Sequence, residues 1–445
     1  MARDNPQDHP SQPVKKSLWK QPRTYLMLLL VMILIGVGLY QIPSIHERAY
    51  FHLATFRSKI YYFFKPPAST TFEPLAQNTT DPLVIASLTS MAPTATATAT
   101  LEPTDPFTPA PITTSTPTAV PTALPAQVML GKIILEPQAF NNCGPATLSM
   151  ALNYWGWEGK QHNVQAVIKP RLEDLAVTPA ELKSFVESET EFSALIRYGG
   201  DLDLLRKFVA AGFPVLIERG YFVPSDGWMG HFGVINGYDD AAQTVHIPDS
   251  FSGVIDLSYA DLEMYWAQFF NTYLIIYPPE KEQQVLALLS DQADETFNLA
   301  YTVELETERI DTLSGREQFL AQYNQGTLLL MQKSYPAAAE AYDRAFELYK
   351  HLYEEERPWR LLWYEPGPYE AYYYTGRYQD VVNLADKTLN ETPSKGLPET
   401  YLWRGRADLK LGDQQTAIYD FKRALQWHPN WQPALDELSN LGVEP

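Results

Sequence analysis

From Pro66 to Pro125 the chain is built of Thr, Pro and Ala, as in MAPTATATATLEPTDPFTPAPITTSTPTAVPTALPA, with no Lys or Arg and few large apolar residues after Leu88. Such a segment cannot bury enough apolar surface to offset its ordering entropy. No single globular core can run through it, so the chain divides into unlike parts on either side. With its flanks the tract covers residues 66–127. It reads as a disordered stalk, stiffened by repeated proline to a reach of at most about 3.1 Å per residue.

On its N-terminal side, residues 24–45, TYLMLLLVMILIGVGLYQIPSI, carry no charge. About 20 helical residues span the roughly 30 Å core of a bilayer. Lys15, Lys16, Lys20 and Arg23 precede the run, and Tyr25 and Tyr40 stand near its ends. Both features suit a transmembrane helix with residues 1–23 cytoplasmic and everything after residue 45 extracytoplasmic. A cleaved signal peptide is the alternative; the long basic region before the run and the missing small-x-small site favour an uncleaved anchor. Residues 46–65 mix aromatic and basic side chains and read as a juxtamembrane segment able to lie in the interface as an amphipathic helix.

The net charge is −19, and the N-terminal 65 residues are net basic, so the deficit falls on the rest. That balance argues against a nucleic-acid partner. Cys143 is the only cysteine, which rules out a disulfide framework and leaves a thiol that is either filler or reactive. There is no Cys-x-x-Cys or His-Glu-x-x-His spacing and no phosphate-cradling Gly loop, so no metal and no cofactor is expected.

Folded sequence resumes near Val128 and a first domain extends over residues 128–279. MLGKIILEPQ reads as a short strand. It leads into Cys143-Gly144-Pro145 and the apolar run ATLSMALNYWG, a buried helix ended by Gly156. Pro145 suits the first helical position, which puts Cys143 at the helix N-cap or just before it. The helix dipole and free amides there lower a thiol's pKa, and Gly144 allows a tight turn and close approach of a substrate. A thiolate nucleophile needs a base, and the base needs an orienting partner. HFGVINGYDD and QTVHIPDS read as two strands around a polar turn. A turn centred near Asp240 places His231 opposite Asp249, within a cross-strand reach of roughly 5 Å. His162 and His246 are rivals for the base, and Asp239 and Asp240 for the carboxylate; their places in exposed, mid-strand or turn positions count against them. Gln138, in the loop before the helix, is positioned to donate its amide to an oxyanion together with the backbone N–H of Cys143. Trp228 and Tyr221 are candidates for a cleft lining.

Gln138, the spacing to Cys143-Gly144-Pro145, the Gly-x-Pro-Val strand in AAGFPVLIERG, Gly230-His231 before an apolar strand, Gly237-Tyr238-Asp239 and Pro248-Asp249 together resemble the bacteriocin-processing group of papain-like cysteine peptidases (family thirty-nine), especially its stand-alone branch. The resemblance runs from about Ile133 to Tyr277. It implies an α+β papain-like fold, a Cys/His/Asp triad of Cys143, His231 and Asp249, and Gln138 in the oxyanion hole. Ser250 departs from the pattern, in which Pro often follows the Asp.

Residues 280–445 turn helical. Small and large residues recur in QGTLLLMQKSYPAAAEAYDRAF, YYYTGRYQDVVNLADKTL and WRGRADLKLGDQQTAIYDFKRALQWHP, with Gly326 and Gly405 at one repeat position, Gly376 and Gly412 at a second, and Tyr342 and Phe421 at a third. The pattern resembles the tetratricopeptide repeat, a stacking helix pair, with starts near 319, 362 and 398, an insertion (EEERPWRLLWYEPGPYE) after the first repeat, and NWQPALDELSNL as a cap. It implies an all-α domain that binds a protein partner. Trp359, Trp363, Tyr364, Tyr372, Tyr373 and Tyr374 are candidates for a groove lining.

The expectation is therefore an anchored, single-pass, extracytoplasmic cysteine peptidase that cuts peptide bonds in a peptide or protein substrate. Two alternatives share these residues: an inactive papain-like peptide-binding scaffold, and an amidase or acyltransferase using the same thioester.

Overall fold

The computed structural model describes residues 22–66, 69–75, 124–131, 133–223, 227–393 and 395–445. They fall into two units, Met1–Arg57 and Ser58–Pro445. In the first unit α1 (Pro22–Tyr40) exposes its apolar side chains all round, with Met27 and Met32 at 72% and 70%. Among the described residues no helix is long and apolar enough to cross a membrane; described side chains of α1 begin at Tyr25. Lys15, Lys16, Lys20, the side chain of Arg23 and the Thr/Pro tract from 76 to 123 lie outside the described residues.

The second unit corrects the stalk boundary. The last turns of α2 (Pro43–Phe64) and residues 69–75 dock on the C-terminal helices. Tyr61 Oη and Lys65 Nζ donate to the Asn390 carbonyl, and Tyr62 packs edge-on against Trp359. Phe72 is buried against Phe346 and Tyr372. A single phenylalanine with an apolar socket holds down a stretch that composition alone assigns to the stalk. At its other end the tract runs into β1 (Gln127–Met129) of the same unit.

Residues 127–277 carry two four-stranded sheets, ordered β1-β5-β6-β7 and β2-β8-β3-β4. The first consists of β1, β5 (Gly237–Asp239), β6 (Thr244–Asp249) and β7 (Gly253–Ser258); the second of β2 (Ser193–Arg197), β3 (Val215–Val223), β4 (Gly227–Ile235) and β8 (Tyr273–Tyr277). All recorded pairings are antiparallel. Side chains alternate between faces. Leu216, Phe232, Val234, Leu274 and Ile276 therefore meet the helices α3 (Cys143–Tyr154), α4 (Gln161–Ile168) and α5 (Pro179–Glu189). Val215, Ile217, Ile235, Tyr273 and Ile275 face the opposite way. They pack with Tyr238, Val245 and Ile247 of the other sheet and with α6 (Leu202–Ala210) and α7 (Tyr259–Ala267). Of the strand expected over 129–138, only Met129 belongs to β1; residues 130, 131 and 133–138 form no strand.

The hairpin is also out of the expected register. Gly237 pairs with His246 and Asp239 with Thr244, and His231 stands on β4 in the other sheet. The chain changes sheet at Asn236, whose N–H donates to the His246 carbonyl at 3.1 Å.

The helical region begins later than residue 280, because Val285 and Leu289 of α8 (Glu282–Leu289) complete the core between the sheets. It then comprises α9 (Glu295–Thr312), α10 (Gly315–Met331), α11 (Tyr335–Lys350), α12 (Leu361–Tyr364), α13 (Gly367–Tyr374), α14 (Tyr378–Glu391), α15 (Pro398–Leu411), α16 (Gln414–Trp427) and α17 (Gln432–Asn440). Gly326 of α10 and Gly405 of α15 sit where an added Cβ would lie 2.7 Å from Tyr342 and from Phe421. Small-on-large packing thus fixes how closely each helix pair approaches. Of the aromatic run, Tyr372 is fully buried, Trp359 packs on Tyr62 and Tyr374 stacks on Tyr335. The two regions share one unit and one core, in which Trp228 and Phe269 pack with Phe319 and Leu361.

Candidate active site

Cys143 is the first residue of α3 and Asn142 its N-cap. Pro145 is then the third helical residue rather than the first, a position whose amide is still outside the intrahelical ladder. Gly144 answers to packing and not to substrate access, since an added Cβ would meet Val177 Cγ2 at 2.3 Å. The loop before the helix is stitched from beneath. Gln161 Oε1 accepts from the Ala139 amide and from Asn142 Nδ2, both at 2.8 Å, and the buried Lys169 ammonium donates to the Asn141 carbonyl. Thr147 Oγ1 donates to the Phe232 carbonyl at 3.1 Å, fixing α3 against β4.

β4 is the edge strand of its sheet. His231 lies on the face turned to the other sheet, paired across the ladder with Arg219 of β3. Its Nε2 is 2.8 Å from Asp249 Oδ2, at the end of β6. That leaves Nδ1 for the Cys143 sulfur, with which the ring is hydrogen bonded. Asp249 Oδ2 also accepts from Arg219 Nη2 at 2.9 Å, while Oδ1 takes the amides of Phe251 and Ser252 at 2.9 and 2.8 Å. Arg219 and Asp249 are buried, at 2% and 0% exposure.

Electrostatics follow from these partners. Burial pushes the Cys143 thiol up, but the hydrogen bond and charge of His231, the Phe232 backbone and the Lys169 ammonium bring it below its ordinary value. Burial pushes the His231 imidazolium down, yet the bonds to Asp249 and Cys143 carry it up to about 9. Asp249 resists burial through His231, the Ser252 amide and Arg219, and stays well below the usual carboxylate range. At neutral pH these shifts favour a thiolate–imidazolium pair with an ionised carboxylate behind it.

Cys143, His231 and Asp249 thus converge, although the hairpin argument that joined two of them does not hold. The pair meets because two sheets stack. Gln138 joins the cluster through the residue after Asp249. Its Oε1 accepts from Ser250 Oγ and its backbone N–H donates to the Ser250 carbonyl, both at 2.9 Å, leaving Nε2 as the donor end of the side chain.

The rivals lie elsewhere. His246 Nδ1 contacts Asp256 at 2.8 Å and His162 is exposed on α4. Asp239 accepts from Ala241 and Ala242 amides, and Asp240 pairs with Arg206 and Tyr259. Trp228 lines no cleft: it is buried, bonded to Gln268 and stacked on Phe269. Tyr221 rests its ring 5.0 Å from that of His231 and 5.0 Å from the Arg219 guanidinium.

Sequence reasoning missed Arg219 and Lys169. Two charges inside the apolar strand PVLIERGYF were the available signal for Arg219; nothing local marks Lys169. Among the described residues no group of three or more His, Cys, Asp or Glu is placed to hold a metal ion.

Residues 130–276 match the Peptidase_C39 like family. That match supports a papain-like cysteine peptidase fold over this part of the chain, which holds all four candidate site residues. Three solved structures are also similar. A putative C39-like peptidase from Bacillus anthracis is 18% identical, covers 34% of this chain and 96% of its own, and has a TM-score of 0.29. A double glycine motif protease from an AMS/PCAT transporter, in complex with its leader peptide, is 18% identical over 34% and 98%, with a TM-score of 0.26. Xylellain, a cysteine protease from Xylella fastidiosa, is 14% identical over 35% and 87%, with a TM-score of 0.26. No curated protein matches the chain.

Proposed function

We propose that the peptidase-like region hydrolyses peptide bonds through a Cys143/His231/Asp249 triad. The observation that carries this reading is the His231 ring, bonded to the sole cysteine on one side and to buried Asp249 at 2.8 Å on the other. The Cys143 thiolate attacks the scissile carbonyl carbon. The Cys143 amide and Gln138 Nε2 donate to the oxyanion that forms. The imidazolium gives its proton to the leaving amine as the C–N bond breaks, which leaves a thioester. Water, deprotonated by the now neutral His231, then attacks the thioester and releases the acid, and the proton returns the pair to its starting state.

The test is alkylation by iodoacetamide across pH on the wild type and on His231→Ala. With one cysteine in the chain, every adduct reports on Cys143. A fast reaction at neutral pH, lost in the variant, supports the triad. Identical ordinary-thiol profiles in both proteins would remove it.

The helix pairs act in this reading as tetratricopeptide repeats that bind a protein partner, supported by the Gly326–Tyr342 and Gly405–Phe421 packing. The exposed apolar surface of α1 supports a membrane anchor with residues 58–445 outside the cytoplasm. Protease treatment of intact cells is expected to cleave residues 76–123; cleavage only after lysis would overturn the orientation.

A further inference from the structure

Ser250 occupies the position where the family pattern often has proline, and its hydroxyl is spent on Gln138. It is 3% exposed. Its Oγ donates to Gln138 Oε1, and its carbonyl receives the Gln138 backbone N–H, so side chain and backbone are tied to the same residue. The turn it belongs to is itself rigid, because Asp249 Oδ1 binds the amides of Phe251 and Ser252. A terminal amide turns freely about its last torsion. If it turned over, Gln138 would present a carbonyl oxygen to a developing negative charge.

We propose that Ser250 is a positioning residue, which locks the Gln138 amide with Nε2 toward the oxyanion. This rests on the triad reading above. The dipeptide Asp249-Ser250 then serves both halves of the reaction: Asp249 orients the base through Nε2 of His231, and Ser250 orients the oxyanion donor. Proline at 250 would keep the carbonyl that receives the Gln138 backbone N–H and lose the hydroxyl, so serine here supplies an anchor the usual residue lacks.

Removing an oxyanion donor outright costs about 10²–10³ in kcat; releasing it to rotate is expected to cost about 10-fold. The test uses the full chain and fluorescein-labelled casein. Ser250→Ala is expected to lower kcat about 10-fold with KM little changed, and Ser250→Thr to restore it. Iodoacetamide alkylation of Cys143, which forms no oxyanion, is expected to keep its rate and pH profile in Ser250→Ala. In a Gln138→Ala background, the Ser250→Ala change is expected to have no further effect. Full kcat in Ser250→Ala, or an equal loss with and without Gln138, would overturn the inference. If Ser250→Ala unfolds, Ser250→Pro, which keeps the carbonyl and loses the hydroxyl, is read in its place, alone and with Gln138→Ala, against the same outcomes. Failure of the triad itself would appear in the wild type, as absent casein hydrolysis and an ordinary thiol.

Discussion

The two faces of the β3–β4 hairpin treat buried carboxylates in opposite ways. On one face Asp249 is completely buried and yet held ionised. On the other, Glu218 is 2% exposed, and burial, with Glu365 and Cys143 as negative neighbours, drives its carboxyl well above the ordinary range. Depth is nearly equal, so depth does not decide the outcome. Partners do. Asp249 collects an imidazole, a guanidinium and two amides, whereas Glu218 Oε2 has no hydrogen-bond partner. A buried carboxylate with partners keeps its charge, and one without them is pushed toward its neutral form.

The sharpest way to break this contrast is Asp249→Asn. The amide leaves the shape intact but removes the charge that holds His231 in one tautomer. Casein hydrolysis is expected to fall by about 10³–10⁴; a loss below ten-fold would mean that the carboxylate is decorative. The same face sets the pH response. Hydrolysis is expected to hold through neutral pH and to decline as pH rises through about 9, where His231 loses its proton. The stability it contributes has the same sign. Because its folded pKa is raised, that stability is fully present below the free value of about 6.5 and disappears as pH rises through the folded one. Unfolding midpoints in urea between pH 6 and 10 check this.

Arg219→Met comes next. It strands Asp249 with one fewer donor, and breaking a buried pair is expected to cost about 3–5 kcal/mol. Urea unfolding at neutral pH reads it, and a cost under about 1 kcal/mol would show that His231 and the amides suffice.

On the opposite face Glu218→Gln is expected to raise stability at pH 7, since an upward-shifted carboxyl is a cost to the folded chain wherever the unfolded chain is ionised. The gain should vanish near pH 4, where the carboxyl is protonated in both states. A destabilised variant at pH 7 would show that the Glu218 charge is satisfied after all. The smallest effect is expected at His246, whose contact is with Asp256 and not with Cys143. His246→Ala should leave hydrolysis within about two-fold, and a larger loss would reopen the choice of base.

Much of this was legible in the chain. A lone cysteine before Gly-Pro and an apolar helix marked the candidate nucleophile, and Gly-His before an apolar strand marked the candidate base. Those signals are local: helix starts, strand periods and turn residues depend on neighbours in sequence.

What escaped the sequence was long-range and depended on packing. Asp249 reaches His231 across two sheets rather than along one hairpin, because the chain switches sheet at Asn236. Phe72 pins part of a proline-rich stretch because a socket of Phe346 and Tyr372 waits for it far along the chain. Arg219, Lys169 and Ser250 become partners of the site only once strands and loops from distant segments stack. The sequence by itself determined which residue types and local elements this protein has. The tertiary structure decided which charges are compensated, since compensation depends on distance in space and on access of water, and neither is written in residue order.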